Sequence, residues 1–147
     1  MLKQGNVYMS RNMKFDEEMF QNFPAWKFEV DEDTGDMLWY GYDSPIGYRK
    51  EQIHGGEFAM IRLRWLMNYR PSELERLLDE RRLQEHLDDV QDRATAMLLK
   101  LIEHQMEHDE EYLKASEAED VGKQIRLRNN YELCFKEIVR EECCYSK

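Results

Sequence analysis

Leu83, Leu87, Val90, Ala94, Met97 and Leu101 follow one another at alternating intervals of four and three residues. An α-helix keeps a stripe of that period on one side of the chain. The spacing predicts one long amphipathic helix over about residues 82–113, ~45 Å long at the usual rise. Leu98, Ile102 and Met106 widen the stripe toward a second neighbour. The helix is therefore expected to pack in a bundle and not as an isolated two-stranded coil.

The segments on either side supply partners. Residues 57–69 place Phe58, Ile61, Trp65 and Tyr69 on one stripe, with Leu63, Leu66 and Met67 beside it, a surface broad enough to be mostly buried. Pro71 ends that helix and can open the next, because a proline at the first helical position gives up only an N–H that had no partner. Leu74, Leu77 and Leu78 form the core face of the short helix that follows. After a break near Ser116, a last helix presents Leu127, Tyr131, Cys134, Phe135, Ile138 and Val139 and can run antiparallel to the long one.

The first 55 residues carry mixed signals. Asp16 is placed to cap a short helix bearing Phe15, Met19, Phe20 and Phe23, which Pro24 stops. Trp26-Lys27-Phe28-Glu29-Val30 alternates apolar with polar, and the apolar run Met37-Leu38-Trp39-Tyr40 follows an acidic stretch, Asp31-Glu32-Asp33-Thr34-Gly35-Asp36. That pattern predicts a β-hairpin with an acidic tip. Periodicity then disappears from Gly41 to Gly56, where a loop is expected. The expected fold class is mainly α: a helical bundle over residues 56–147, preceded by a short helix, a hairpin and a loop over residues 1–55. A chain of 147 residues suits one cooperative domain.

Thirty-one acidic against 21 basic side chains give a formal charge of −10, which repels phosphate backbones and anionic membrane surfaces. No apolar run reaches the length of a signal peptide or a membrane span, so a cytoplasmic protein without membrane contact is expected. The three cysteines, Cys134, Cys143 and Cys144, are odd in number and crowded into the last helix. Reduced thiols fit that pattern better than a disulfide framework.

The sharpest catalytic pattern is His104-Gln105-Met106-Glu107-His108. It matches H-x-x-E-H, in which two histidines one helical turn apart hold zinc and the glutamate acts as base. The plainer reading is that 104 and 108 continue the heptad steps beyond Leu101. No spaced motif supplies a third ligand, so His104 and His108 remain weak metal candidates. Asp31, Asp33, Gly35 and Asp36 resemble a calcium loop, but the glycine comes fifth and not sixth, which favours a hairpin turn. Cys143-Cys144 is a vicinal pair, not a C-x-x-C redox or zinc motif. No phosphate loop, nucleophile elbow or dinucleotide fingerprint occurs. The sequence points away from an enzyme and calls for no cofactor and no metal.

Two surfaces are candidates for contact with a partner. Glu103, Glu107, Glu110 and Glu111 belong to an acidic zone that can imitate a phosphate backbone and occupy a nucleic-acid-binding enzyme. Such a run is more often a solvated face. Arg62, Arg64 and Arg70 lie among Trp65 and Tyr69, a combination that can bind phosphates and stack on bases or can pair structurally with neighbouring acids. A protein partner is expected, direct nucleic-acid contact is disfavoured by charge, and the long helix offers a homodimer seam.

An ordered set of short blocks runs from Pro45-Ile46-Gly47 through Ile61-Arg62-Leu63-Arg64-Trp65-Leu66 and Tyr69-Arg70-Pro71. It continues through Leu77-Leu78, Glu85-His86-Leu87, Gln105-Met106 and Leu113-Lys114-Ala115 to Arg128-Asn129-Asn130 and Glu137-Ile138-Val139. Over about residues 45–147 the chain resembles the TnpV-type proteins, a transposon-encoded family. Tyr48 to Gly55 reads as an insertion between two of these blocks, and the hairpin has no counterpart in the family. The resemblance implies a mobile-element setting and no particular activity.

Overall fold

The structure, a computed structural model, describes every residue except Glu32, Ser44, Pro45 and Lys147. Its strands are β1 (Leu2–Gln4), β2 (Val7–Met9), β3 (Met13–Asp16), β4 (Gln21–Pro24), β5 (Trp26–Val30), β6 (Met37–Asp43) and β7 (Gly47–Ile53). The helices are α1 (Glu57–Tyr69), α2 (Pro71–Asp79), α3 (Leu83–His108), α4 (Glu110–Glu117) and α5 (Val121–Val139), closed by a π-helical turn, Arg140–Cys144. The mainly-α expectation is therefore corrected. Before the helices stands an antiparallel five-stranded sheet in the order β1-β2-β5-β6-β7, with a separate β3-β4 hairpin, and the fold is α+β.

The central hairpin follows from alternation. Trp26, Phe28 and Val30 are buried, and Phe28 lies opposite Trp39 and Val30 opposite Met37. Gly41 lies opposite Trp26, and it has to be glycine because the Trp39 ring occupies the place a Cβ would take. At the tip, Asp31 accepts the N–H groups of Asp33 and Thr34 at 3.0 and 3.2 Å, an Asx turn that uses the carboxylate locally. Glu32 of the expected acidic tip lies outside the described residues.

No helix forms around Phe15, Met19, Phe20 and Phe23, which instead lie in and around the β3-β4 hairpin. Asp16, read as a helix cap, is 2% exposed. It accepts the N–H groups of Glu18 and Met19 at 2.9 and 3.2 Å and the hydroxyl of Tyr42. That anchor turns the chain back on itself, and Phe23 then stacks on Tyr42 at 4.7 Å. The loop expected over residues 41–56 is also corrected: β6 runs on to Asp43 and β7 pairs along it from Gly47 to Ile53. The supposed insertion is thus most of a strand, while Pro45 lies outside the described residues.

Helix α1 begins where Gly56 leaves room for the Gln91 amide, whose Oε1 accepts the Ala59 N–H at 3.0 Å. Helix α3 buries Leu83, Leu87, Val90, Ala94, Leu98 and Ile102. Its first two buried residues join Leu63, Leu66, Leu74, Leu77 and Leu78 under the sheet. The later ones meet Phe58, Tyr131, Val139, Cys143 and Cys144 in a second cluster. Beyond Ala94 the buried stripe advances by fours, so Met97 and Leu101 sit only half-buried at its flank. The long helix also stops at His108, five residues short of the expected end, because Asp109 caps a new one, α4.

Candidate functional site

Residues 83–120 hold 12 acidic and three basic side chains, so −9 of the chain's formal −10 is carried by α3, α4 and the turns beside them. Helix α3 alone is a poor imitation of a nucleic acid. Its 26 residues span ~39 Å and carry six acids and two bases, against one charge per ~1.7 Å in duplex DNA. The charge is dense only from Glu103 to Asp120, with eight acids and one lysine. That stretch is the elbow between α3 and α4, and Glu103, Glu107, Glu110 and Glu111 are all exposed on it.

The elbow is held from inside. Asp109 accepts the Glu111 N–H at 3.1 Å as the cap of α4, and its other oxygen accepts the hydroxyl of Tyr131 from α5. Tyr131 is buried, and burial together with the Asp109 carboxylate holds its phenol well above the usual range. Tyr112 tilts against Tyr131 at 6.4 Å, and Lys123 of α5 reaches Glu111 at 3.4 Å. A negative surface on a fixed frame results, although Glu110 and Glu111 in a first helical turn also suit the helix dipole.

The arginine group is divided by the fold. Arg62 is 5% exposed. Its guanidinium donates to the carbonyls of Cys144 and Ser146 and to His86 Nε2, so it serves the structural role and is withdrawn from solvent. Arg64 and Arg70 are exposed, and the guanidinium of Arg70 lies 5.3 Å from the centre of the Trp65 ring, with Arg62 at 4.7 Å. Trp65 is half-buried against the core under the sheet.

His104 and His108 do not continue the buried stripe. Both are exposed on α3, with ring centres 4.3 Å apart and His108 Nδ1 2.8 Å from the His104 carbonyl. Among the described residues no group of three or more His, Cys, Asp and Glu is arranged to hold a metal ion, and no helix is long and apolar enough to cross a membrane.

Two features escaped the sequence. The β3-β4 hairpin exposes Met13, Phe15, Met19 and Phe20, the last 84% exposed with φ +52°. A cavity of about 420 Å³ opens between β7, α2 and the start of α3. The only signals in the sequence were the apolar count of the first and the lack of alternation in β7 beside the second.

Comparison with known proteins gives one family. The family model described as "Transposon-encoded protein TnpV" matches residues 44–144, the stretch from just before β7 to the end of the π-helical turn. No curated protein and no solved structure matches the chain.

Proposed function

Because the chain belongs to the TnpV family of transposon-encoded proteins, we propose that it is a non-enzymatic accessory protein of a mobile genetic element that acts by binding another protein. The acidic elbow of α3 and α4 meets a basic surface on the partner, in the manner of a regulator or inhibitor of a nucleic-acid-handling enzyme such as a host defence nuclease. The observation that carries this reading is the concentration of charge at the elbow on a turn fixed by the Tyr131 to Asp109 hydrogen bond. Carboxylates carried on a fixed backbone turn gain more from a complementary surface than those on a flexible one, since less backbone entropy is lost on contact.

The alternative is a DNA-binding accessory factor in transposition or excision. It retains Arg64 and Arg70 as exposed cations but loses Arg62 to the interior. Of the arginines that follow, Arg76 and Arg82 pair with Glu73, Glu80 and Glu85, which leaves few cations for phosphate contacts.

A pull-down from the host cell followed by mass spectrometry tests the proposal. The wild-type chain should retain a basic protein, and the triple variant Glu107→Lys, Glu110→Lys, Glu111→Lys should release it. Undiminished capture by that variant sinks the acidic-elbow reading. A mobility shift on DNA that weakens steeply with added salt would replace it with the alternative.

A further inference from the structure

We propose that the open edge of β7 is a separate docking site, which takes up an extended segment of a partner protein carrying a large apolar residue with lysine or arginine two places away. This site stands independently of the acidic elbow.

Among the described residues, strand β7 is terminal in the sheet and pairs with β6 on one side only. It is seven residues long, and Arg49 to Gln52 are exposed. The parity of the ladder fixes which of its peptide groups are unused. Tyr42 N–H donates to the Ala25 carbonyl, so the even residues of β6 face β5 and the odd ones face β7. Across that ladder Gly41 pairs with Arg49, Trp39 with Glu51 and Met37 with Ile53. The peptide groups of Lys50 and Gln52 therefore point away from the sheet.

The next outward position, His54, shows what this edge accepts. The His54 N–H donates to Gln84 Oε1 at 2.7 Å, and Gln84 Nε2 donates to the His54 carbonyl at 2.7 Å. A side-chain amide from α3 thus makes the same pair of bonds as a neighbouring strand. Lys50 and Gln52 continue that row at the two-residue spacing an extended backbone matches.

Beside the row lies the cavity of about 420 Å³, within the ~300–1,000 Å³ range of ligand pockets. Trp39, Ile53, Leu77 and Leu83 give it an apolar floor, and the exposed carboxylates of Glu51 and Asp88 stand on its rim. Glu51 and Ile53 share the face of Trp39, so the inward residues of an added strand lie over the cavity. An apolar one there meets Ile53, and a cation two places on meets Glu51. The rim cation, Arg81, is held over the Trp39 ring at 4.3 Å. It adopts φ +58°, where glycine is the usual residue, so the chain accepts strain to keep a side chain at that spot.

The other edge, β1, is only three residues long. A second copy is the weaker occupant, because two chains of formal charge −10 repel each other.

The probe is a blocked heptapeptide, threonine-lysine-threonine-leucine-threonine-lysine-threonine. On titration, hydrogen exchange at the Lys50 and Gln52 amides should slow while β6 is unchanged. Gln52→Pro removes an outward donor without removing a bond to β6, and should weaken the probe about tenfold, the worth of one hydrogen bond. Glu51→Lys leaves the backbone alone, so it decides the matter if the proline variant fails to fold. It should weaken the lysine probe and favour one with glutamate in place of lysine. The triple reversal at the elbow should leave probe binding unchanged, which separates this site from the function proposed above. Absence of protection at Lys50 and Gln52, or unchanged binding in either β7 variant, overturns the proposal. Protection that grows with protein concentration without probe, together with a doubled mass, assigns the edge to a second copy and also overturns it.

Discussion

Arg62 and Cys144 stand 82 residues apart in the chain, yet the Arg62 guanidinium donates to the Cys144 carbonyl oxygen at 3.0 Å. With the Ser146 carbonyl on the same nitrogen, a buried cation on α1 closes the π-helical turn, whose last carbonyls would otherwise lack partners. Arg62→Ala should cost on the order of 3 kcal/mol, since it strands the buried Cys144 carbonyl as well as removing charge-assisted bonds. For a chain of this size that is a drop of roughly 10 °C in Tm. Calorimetry checks it, and a shift of only a degree or two would show that the carbonyls find other donors.

His86 accepts from Arg62 Nε at 3.1 Å through Nε2, which requires that nitrogen to be unprotonated. Burial, with the Arg62 cation beside it, holds the imidazole below the usual histidine range. The unfolded chain therefore binds a proton before the folded one does, and stability is lost as pH falls from ~6.5 toward the lowered folded value. Tm measured between pH 7.5 and 5.5 should decline in the wild type and decline less in His86→Gln. Parallel profiles would remove His86 as the cause.

The thiols separate by burial. Cys134 is exposed, whereas Cys143 and Cys144 are 7% and 0% exposed. Cys144 donates to the Phe58 carbonyl at 3.4 Å, and burial pushes its thiol up to about 11. A thiol-specific dye should label one cysteine rapidly in the native protein and all three in denaturant. Rapid native labelling of three would mean that the terminal turn opens readily.

The Tyr42 to Asp16 bond ties the β3-β4 hairpin to the sheet. The phenol is raised to about 12, first by that hydrogen bond. Stability that is complete below pH ~10 should accordingly fade as pH rises toward 12, because the unfolded chain loses its phenolic proton first. Tyr42→Phe should lower Tm and speed hydrogen exchange in the hairpin more than in α3. Uniform acceleration would place the hairpin in the same cooperative unit as the helices.

The helical part of the fold was legible because its cues are local. Pro71 opens α2, and α1 buries Phe58 with the flanking Leu63 and Leu66, although Ile61 and Trp65 of the expected stripe are only half-buried and Tyr69 is exposed. The N-terminal strands were not legible for two separate reasons. Phe15, Met19 and Phe23 recur every four residues, a helical spacing, and what overrides it is the bond from Asp16 to a tyrosine 26 residues away. Strand β7 shows no alternation because, at a sheet edge, most of its side chains on both faces meet solvent. Of the candidate carboxylates, Glu103 and Glu107 are exposed on the long helix as expected, whereas Glu110 and Glu111 stand on α4, because Asp109 ends α3 and caps a new helix. Arg62 leaves the exposed group, because a buried arginine is chosen by carbonyls at the other end of the chain.

The uneven placement of charge along α3 makes the molecule an electric dipole. Leu83 and Leu87 lie under the sheet at one end of the helix and the elbow stands at the other, ~39 Å away. Residues 1–102 carry a net −5 spread over the sheet, α1, α2 and most of α3, residues 103–120 a net −7 within the elbow, and residues 121–147 a net +2, so the field is strongest at the far end. A cationic surface within a Debye length, ~8 Å at physiological salt, exerts a torque as well as an attraction. The protein turns elbow-first before any side chain touches, and raising the ionic strength slows its arrival more than it shortens its stay.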